Sequence, residues 1–235
     1  YILSHYNEET SVFMDKYAYR YLDSIFPGLY YPYTSVLQVN CYALLSLDIL
    51  GNLSKIDKQD SIDFIWSCFN LEGTENGFIG QPCKSNLSSG FRTATMDNSF
   101  YAITTLDLLM DDWSGYSSER VKLVNFINGL QMGSSSSDNF GGFYNDHNMS
   151  INSLEIFNEA NLLASYYNLK SLNAFDLVET IHTSSFHQYL TNLYDTIEHS
   201  FQMFDNADNY VNLVGTALGL ELANVTGFTG IDKDE

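Results

Sequence analysis

Apolar residues recur along this chain at helical spacing, in alternating longer and shorter runs separated by polar or glycine-rich breaks. Thr34 or Ser35 is placed to cap a long apolar helix that runs to about Leu50, and Gly51-Asn52 terminates it. Residues 57–69 set Ile62, Phe64, Ile65 and Phe69 against Asp57, Lys58, Asp60 and Asp63, the pattern of a helix with one wet face. The same alternation predicts helices over 97–110 and 118–131, then a weaker pair over 152–167 and 172–183. A last helix is predicted over 209–223, where Gly215 and Gly219 share a face and permit close approach of a neighbour. Ahead of all these, Val12, Phe13, Tyr17, Tyr21, Leu22 and Phe26 predict an amphipathic helix over 8–26, ended by Pro27-Gly28 and followed by an extended aromatic stretch over 29–33. Residues 186–203 suit helix or strand, and the polar tail 227–235 is expected to fray.

The helix pairs repeat. Tyr42 to Leu50 (YALLSLDIL) and Tyr101 to Leu109 (YAITTLDLL) match at Tyr, Ala, Leu and Asp with an offset of 59 residues. The offset grows to 62 at the Phe-Ile pairs of residues 64 and 126, and to 65 at the Gly-Phe pairs of residues 77 and 142. Loops lengthen while the plan persists. One helical hairpin cannot bury its apolar face alone, so the period implies a helical repeat architecture, either an open solenoid or a closed toroid. The chain is expected to be one domain over 1–235, with its clearest repeats at 34–82, 96–146 and 152–184.

Charge narrows the partners. With 29 acidic residues against 10 Lys plus Arg, the net charge is −19, which opposes encounter with nucleic acid, anionic membranes and polyanionic sugars. No segment approaches the roughly 20 apolar residues of a membrane span. The chain shows no signal-peptide pattern after Tyr1, so a leader is expected to be absent or already removed, and the compartment stays open. Cys41, Cys68 and Cys83 form no CxxC and are expected to be free thiols in a helical core.

The repeat unit combines a helix carrying (Asn or Ser)-(Cys or Phe)-Tyr-Ala and Leu-Asp-x-Leu, a second helix with Phe-Ile followed by Gln or Asn, and a Gly-Phe loop. This resembles the repeat of the protein prenyltransferase β subunits and terpene cyclases over roughly residues 34–185. Gln131 to Asp146 resembles the family's Gln-x-x-x-Gly-Gly-Phe signature, stretched by a serine run, and Phe78 to Ser85 (FIGQPCKS) its Gly-Phe-x-Gly-x-Pro-x-Lys loop. The resemblance implies an all-α fold, an α/α toroid in which the first helix of each pair lines the inside and the second lies outside. About four pairs are visible where a closed toroid of the family has about six, so an incomplete barrel or a piece of a larger one is expected.

The resemblance also implies zinc held by Asp-x-Cys and His, and here the residues depart from it. Asp97-Asn98-Ser99 stands where Asp-x-Cys would, with a hydroxyl replacing the thiolate, and Val39 stands where the His would. The basic residues expected ahead of the Asp fall on Phe91 and Ala94, with Arg92 one place off. The cyclase Asp-x-Asp-Asp acid is missing, because Asp107, Asp111 and Asp112 have another spacing. No cofactor is therefore predicted, zinc being implied by resemblance alone with its ligands unmatched.

The candidate catalytic residues are Asp97, Asp146 and His147, pictured as meeting at one barrel mouth, where paired carboxylates could do acid and base work. Tyr42, Arg92, Phe100, Tyr101, Phe143 and Tyr144 are the candidate ligand contacts. The expected function is a ligand-binding or scaffold module taking a small apolar ligand or a protein partner. The alternative is an active toroid enzyme, performing prenyl transfer or carbohydrate hydrolysis or lysis.

Overall fold

The computed structural model describes residues 1–14, 35–71, 76–85, 87, 92–135, 137, 139–147, 159–204 and 213–231. They fall into two compact units, residues 1–123 and 124–235.

In the first unit, helix α1 (Val36–Ile49) begins at Ser35, whose hydroxyl accepts the Gln38 N–H, as a capping residue should. Asp57 caps α2 (Lys58–Ser67) in the same way, through the Asp60 N–H. Helix α3 (Met96–Leu109) packs along α1 and against α2, and α4 (Ser117–Gly129) begins after a short 3-10 turn at Ser114–Tyr116. Trp66 of α2 stacks on Tyr116, with ring centroids 4.6 Å apart.

The helix expected over 8–26 is not what residues 8–13 form. Strands β1 (Tyr6–Asn7) and β2 (Val12–Phe13) make an antiparallel hairpin, and positions 15–26 lie outside the described residues, as does the extended segment expected over 29–33. Local chemistry overrides the helical spacing here. The Asn7 side-chain oxygen accepts the N–H groups of Glu9 and Thr10, and Ser11 sits at φ 53°, in the left-handed region that ends a helix.

In the second unit, α5 (Leu162–Ala174) is capped by Asn161 and packs on α7 (Leu213–Thr226), which also touches α6 (Thr183–Leu193). The third helix pair is therefore shifted from the expected 152–167 and 172–183. Residues 172–183 hold a break, since Asp176 lies at φ 55° and Ile181 is extended. Residues 152–158 and 209–212 of the expected helices lie outside the described residues.

The ambiguous stretch 186–203 resolves into both alternatives. Helix α6 ends at Leu193, and β3 (Tyr194–Asp195) pairs antiparallel with β4 (Ser200–Phe201). This hairpin reproduces the first one at an offset of 188 residues. Asp195 accepts the N–H groups of Ile197 and Glu198 as Asn7 accepts those of Glu9 and Thr10. His199 takes the left-handed place of Ser11, at φ 48°. The Tyr194–Phe201 and Tyr6–Phe13 ring centroids are both 5.0 Å apart.

The two Gly-Phe loops belong to the same series, with β-bridges Phe69–Phe78 and Gln131–Phe143. Each of the four hairpins delivers a buried phenylalanine whose N–H is donated to a polar side chain near the start of the next inner helix. Phe13 donates to Asn40 Oδ1 (2.6 Å), Phe78 to Ser99 Oγ (3.0 Å), Phe143 to Ser165 Oγ (3.3 Å) and Phe201 to Thr216 Oγ1 (3.2 Å). Glycine makes room for this docking in the second unit. A Cβ on Gly219 would lie 2.2 Å from Phe201 Cγ, so the close approach expected of that glycine is met by an aromatic ring.

Aligned on those four acceptors, the inner helices α1, α3, α5 and α7 can be compared position by position. Three residues before the acceptor stand Leu37, Met96 and Leu162, all fully buried, and then Leu213, which is 81% exposed. Four residues after it stand Leu44, Ile103 and Leu169, at most 2% exposed, and then Leu220, at 48%. Thus α7 keeps the apolar identities of the repeat on a face that its own unit does not cover.

Leu169→Ala should destabilise the protein by about 2 to 5 kcal/mol in denaturant melts, while Leu220→Ala at the equivalent position should change stability by under about 0.5 kcal/mol. Ser99→Ala should cost about 1 to 3 kcal/mol by leaving the Phe78 N–H buried without an acceptor. Equal losses at Leu169 and Leu220, or none at Ser99, would refute the repeat alignment.

Candidate functional site

The inner helices of the first unit bring four of the predicted residues together. Gln38 and Tyr42 lie four apart on α1, and Asp97 and Tyr101 lie four apart on α3, so each pair shares a helix face. The helices run side by side in a register of 59 residues, which sets Gln38 against Asp97 and Tyr42 against Tyr101. Gln38 Nε2 donates to Asp97 Oδ2 at 2.9 Å and to Asn98 Oδ1 at 3.2 Å. The Tyr42 and Tyr101 ring centroids are 4.5 Å apart, and Phe100 meets Tyr101 edge-on at 5.0 Å.

This group reaches solvent. Tyr42 is 48% exposed, although the covered part of its phenol, its hydrogen bond with Tyr101 and the negative charge of Asp97 together hold its pKa above the ordinary tyrosine range. Asp97, Phe100 and Tyr101 are half-buried. Beneath them runs a polar network invisible as a motif. Ser35 Oγ donates to Asn98 Oδ1 at 2.6 Å, and Asn98 Nδ2 donates to Thr95 Oγ1 at 2.7 Å. The one trace of it in sequence is the placing of Ser35, Gln38 and Asn98 around otherwise apolar helix starts.

Arg92 is engaged with its own loop. Its guanidinium donates to the carbonyls of Leu87 (3.0 Å), Lys84 (3.3 Å) and Ser85 (3.0 Å). Asp107 accepts the Trp113 indole N–H at 3.1 Å, and Asp112 is fixed by the N–H of Ser114 at 2.7 Å. Both are helix-end contacts.

The remaining predicted residues lie in the second unit. Phe143 is fully buried, its ring 5.8 Å from that of Phe186, and Tyr144 is buried with its carbonyl accepting from Asn168 Nδ2. Burial also pushes the Tyr144 phenol up. Asp146 is 2% exposed, while His147 is exposed and packs edge-on to Phe126 at 5.6 Å. Asp97 belongs to the first unit, and Asp146 and His147 belong to the second. His187 lies 3.1 Å from the Thr226 carbonyl and against the Phe228 ring, a packing role at the end of α7.

The Asp97-Asn98-Ser99 segment does not fit a zinc site. Ser99 is fully buried, donates to the Thr95 carbonyl at 2.8 Å and receives the Phe78 N–H, so its oxygen is held inside the helix packing. A neutral serine oxygen is in any case a poor zinc ligand. Among the described residues no group of three or more His, Cys, Asp or Glu could hold a metal ion.

Paired helices joined through hairpins, with one helix of each pair carrying the Phe N–H acceptor, define an all-α helical repeat. The model of the prenyltransferase α/α toroid domain matches residues 14–201, and the chain belongs to that family. Candida albicans protein geranylgeranyltransferase-I complexed with GGPP has a similar fold, with a TM-score of 0.67 and 16% identity over 83% of this chain and 53% of that one. The chain thus spans about half the length of that structure. No curated protein matches it in sequence.

The three cysteines are free, with Cys41 and Cys68 fully buried and Cys83 half-buried. Burial pushes the Cys41 thiol up to about 12 and Cys68 higher still. These thiols stay neutral when folded but ionise when unfolded, so stability should hold below the ordinary thiol pKa and fall as pH rises from about 9 toward 12. A disulfide reagent at pH 8 should titrate Cys83 in the native protein and all three thiols in denaturant. Fast native reaction at Cys41 or Cys68 would contradict this packing.

Proposed function

We propose that this prenyltransferase-like domain acts as a ligand-binding or scaffold module without the zinc-dependent prenyl transfer of its relatives, taking a small apolar ligand or a protein partner. One observation carries the reading: the oxygen of Ser99, at the place of the family's zinc thiolate, serves as the buried acceptor for Phe78. The match over residues 14–201 crosses the division between the two units, which supports reading both as parts of one family domain.

The surface offered to a ligand is the half-exposed group of Tyr42, Phe100 and Tyr101, with Asp97 beside it. An acid at this place, in a chain of net charge −19, disfavours a diphosphate such as the GGPP bound in the Candida albicans enzyme structure. The alternative of a carbohydrate-active site has less support, since Asp146 would need to reach substrate and is almost wholly buried.

Purified protein incubated with excess zinc and then desalted should retain substoichiometric metal by atomic emission. One zinc per chain, lost on Asp97→Ala, would overturn the proposal.

A further inference from the structure

We infer that the uncovered face of α7 is a docking surface for the α1 end of a second copy of this chain, so that copies associate head to tail. What covers the same face on the other inner helices points to that partner. Counted from the side chain that accepts the Phe N–H, the residues three before it and one and four after it share one helix face. On α1 this front face receives the following repeat: Leu37 donates its N–H to the Gly80 carbonyl at 3.1 Å, two residues beyond Phe78, and the Cys41 thiol interacts with the Thr105 side chain of α3. On α5, Leu162 likewise donates to the Met203 carbonyl at 2.9 Å, two residues beyond Phe201. Leu37, Cys41, Leu44, Leu162 and Leu169 are accordingly at most 2% exposed. Their counterparts on α7, Leu213, Ala217 and Leu220, are all exposed.

Such a front is covered by a hairpin and the back of the inner helix that follows it. On α3 the back is marked by Asn98, which accepts from Ser35 Oγ at 2.6 Å, and by Thr105, one residue before and six after the acceptor Ser99. These two and Ala102 between them are buried, as are Gly215, Gly219 and Leu222 at the same places on α7. Helix α1 differs. Val39, Ala43 and Ser46 occupy those places and are only half-buried, although α1 carries its own docked hairpin through Phe13 and Asn40. The chain thus holds one uncovered front and one incompletely covered back, built on the same repeat and carrying no charged side chain at these positions. Packing drives their contact, while the net charge of −19 opposes the approach of two copies and does so less as salt is added. A front that meets a back is a heterologous contact, which leaves each dimer with a further front and a further back.

Sedimentation equilibrium of the full chain tests this. The average mass should rise above that of the 26.6 kDa monomer between about 20 and about 500 µM chain, the range of a small interface. The dissociation constant should fall at least about threefold from about 50 mM to about 500 mM NaCl. Leu220→Glu on the front and Ser46→Glu on the back should each weaken association at least about tenfold, because each sets a charge in the contact, with the melting temperature unchanged. Mixed in equal amounts, the two variants should form a dimer and stop there, since one supplies an intact back and the other an intact front. Should Ser46→Glu lower the melting temperature, Ala43→Gln takes its place in the mixture. A monomer at every concentration and salt would overturn the inference and leave the α7 face to a different helical partner. Association lost with Leu220→Glu but untouched by both back variants would overturn it in favour of a symmetric pair packed α7 on α7. A mixture that stays monomeric would overturn it too.

Discussion

The structure depends on a backbone amide. In each repeat a hairpin must turn the chain from the end of one helix back toward the next inner helix, and the turn brings a fully buried aromatic residue with a polar N–H into an apolar interior. A buried amide without an acceptor costs about 1 to 3 kcal/mol, so the inner helix must supply one. Asn40, Ser99, Ser165 and Thr216 do so with three different side chains. The common requirement is an oxygen at that height of the helix, not a residue type. Once it is met, the register of hairpin on helix is fixed, and the rest of each inner helix follows from it.

That constraint also bears on chemistry. Ser99 lies two residues after Asp97, at the position where the family resemblance implies a zinc thiolate. A thiol is a weak hydrogen-bond acceptor, and a zinc-bound thiolate must point to an open site. Here the oxygen points inward, between the Thr95 carbonyl and the Phe78 amide. The serine at that position therefore has a packing role, and the neighbouring Asp97 accepts a hydrogen bond from Gln38. Within one helical turn, a fully buried residue and a half-buried one stand two positions apart.

How far these features could be read in sequence follows from how local their causes are. The helices at 36–49, 58–67 and 96–109 lie within a few residues of the bounds that apolar spacing predicts, and the first is bounded most sharply because Ser35 and Gly51 act on their immediate neighbours. The pairing of Tyr42 with Tyr101 was legible as an internal repeat. The hairpin at 6–13 was not, and that at 194–201 only as an undecided helix or strand, because their tight turns use Asn7 and Asp195 oxygens with Ser11 and His199 at positive φ, where the second Gly-Phe loop uses Gly141. Reading Val12 and Phe13 as a helix stripe was the natural consequence. The slip of the third pair has a similar origin, since Asp176 breaks a stretch whose apolar spacing is otherwise helical. The polar network of Ser35, Gln38, Asn98 and Thr95 was beyond sequence reading, because its members are joined only once α1 and α3 lie together.

Equivalence of position also separates what the repeat demands from what this chain adds. At the residue two beyond the acceptor stand Tyr42, Tyr101 and Tyr167, and then Leu218 in α7. No backbone group requires a tyrosine there, for the amide is already satisfied by the acceptor itself. A half-exposed phenol gives up rotamer freedom and gains only partial burial, so packing alone does not favour it over leucine. The Leu of α7 shows that the repeat tolerates the simpler residue. A tyrosine present three times where α7 carries leucine is therefore not dictated by the backbone constraint of the repeat, and two of the three, Tyr42 and Tyr101, pair with each other across α1 and α3.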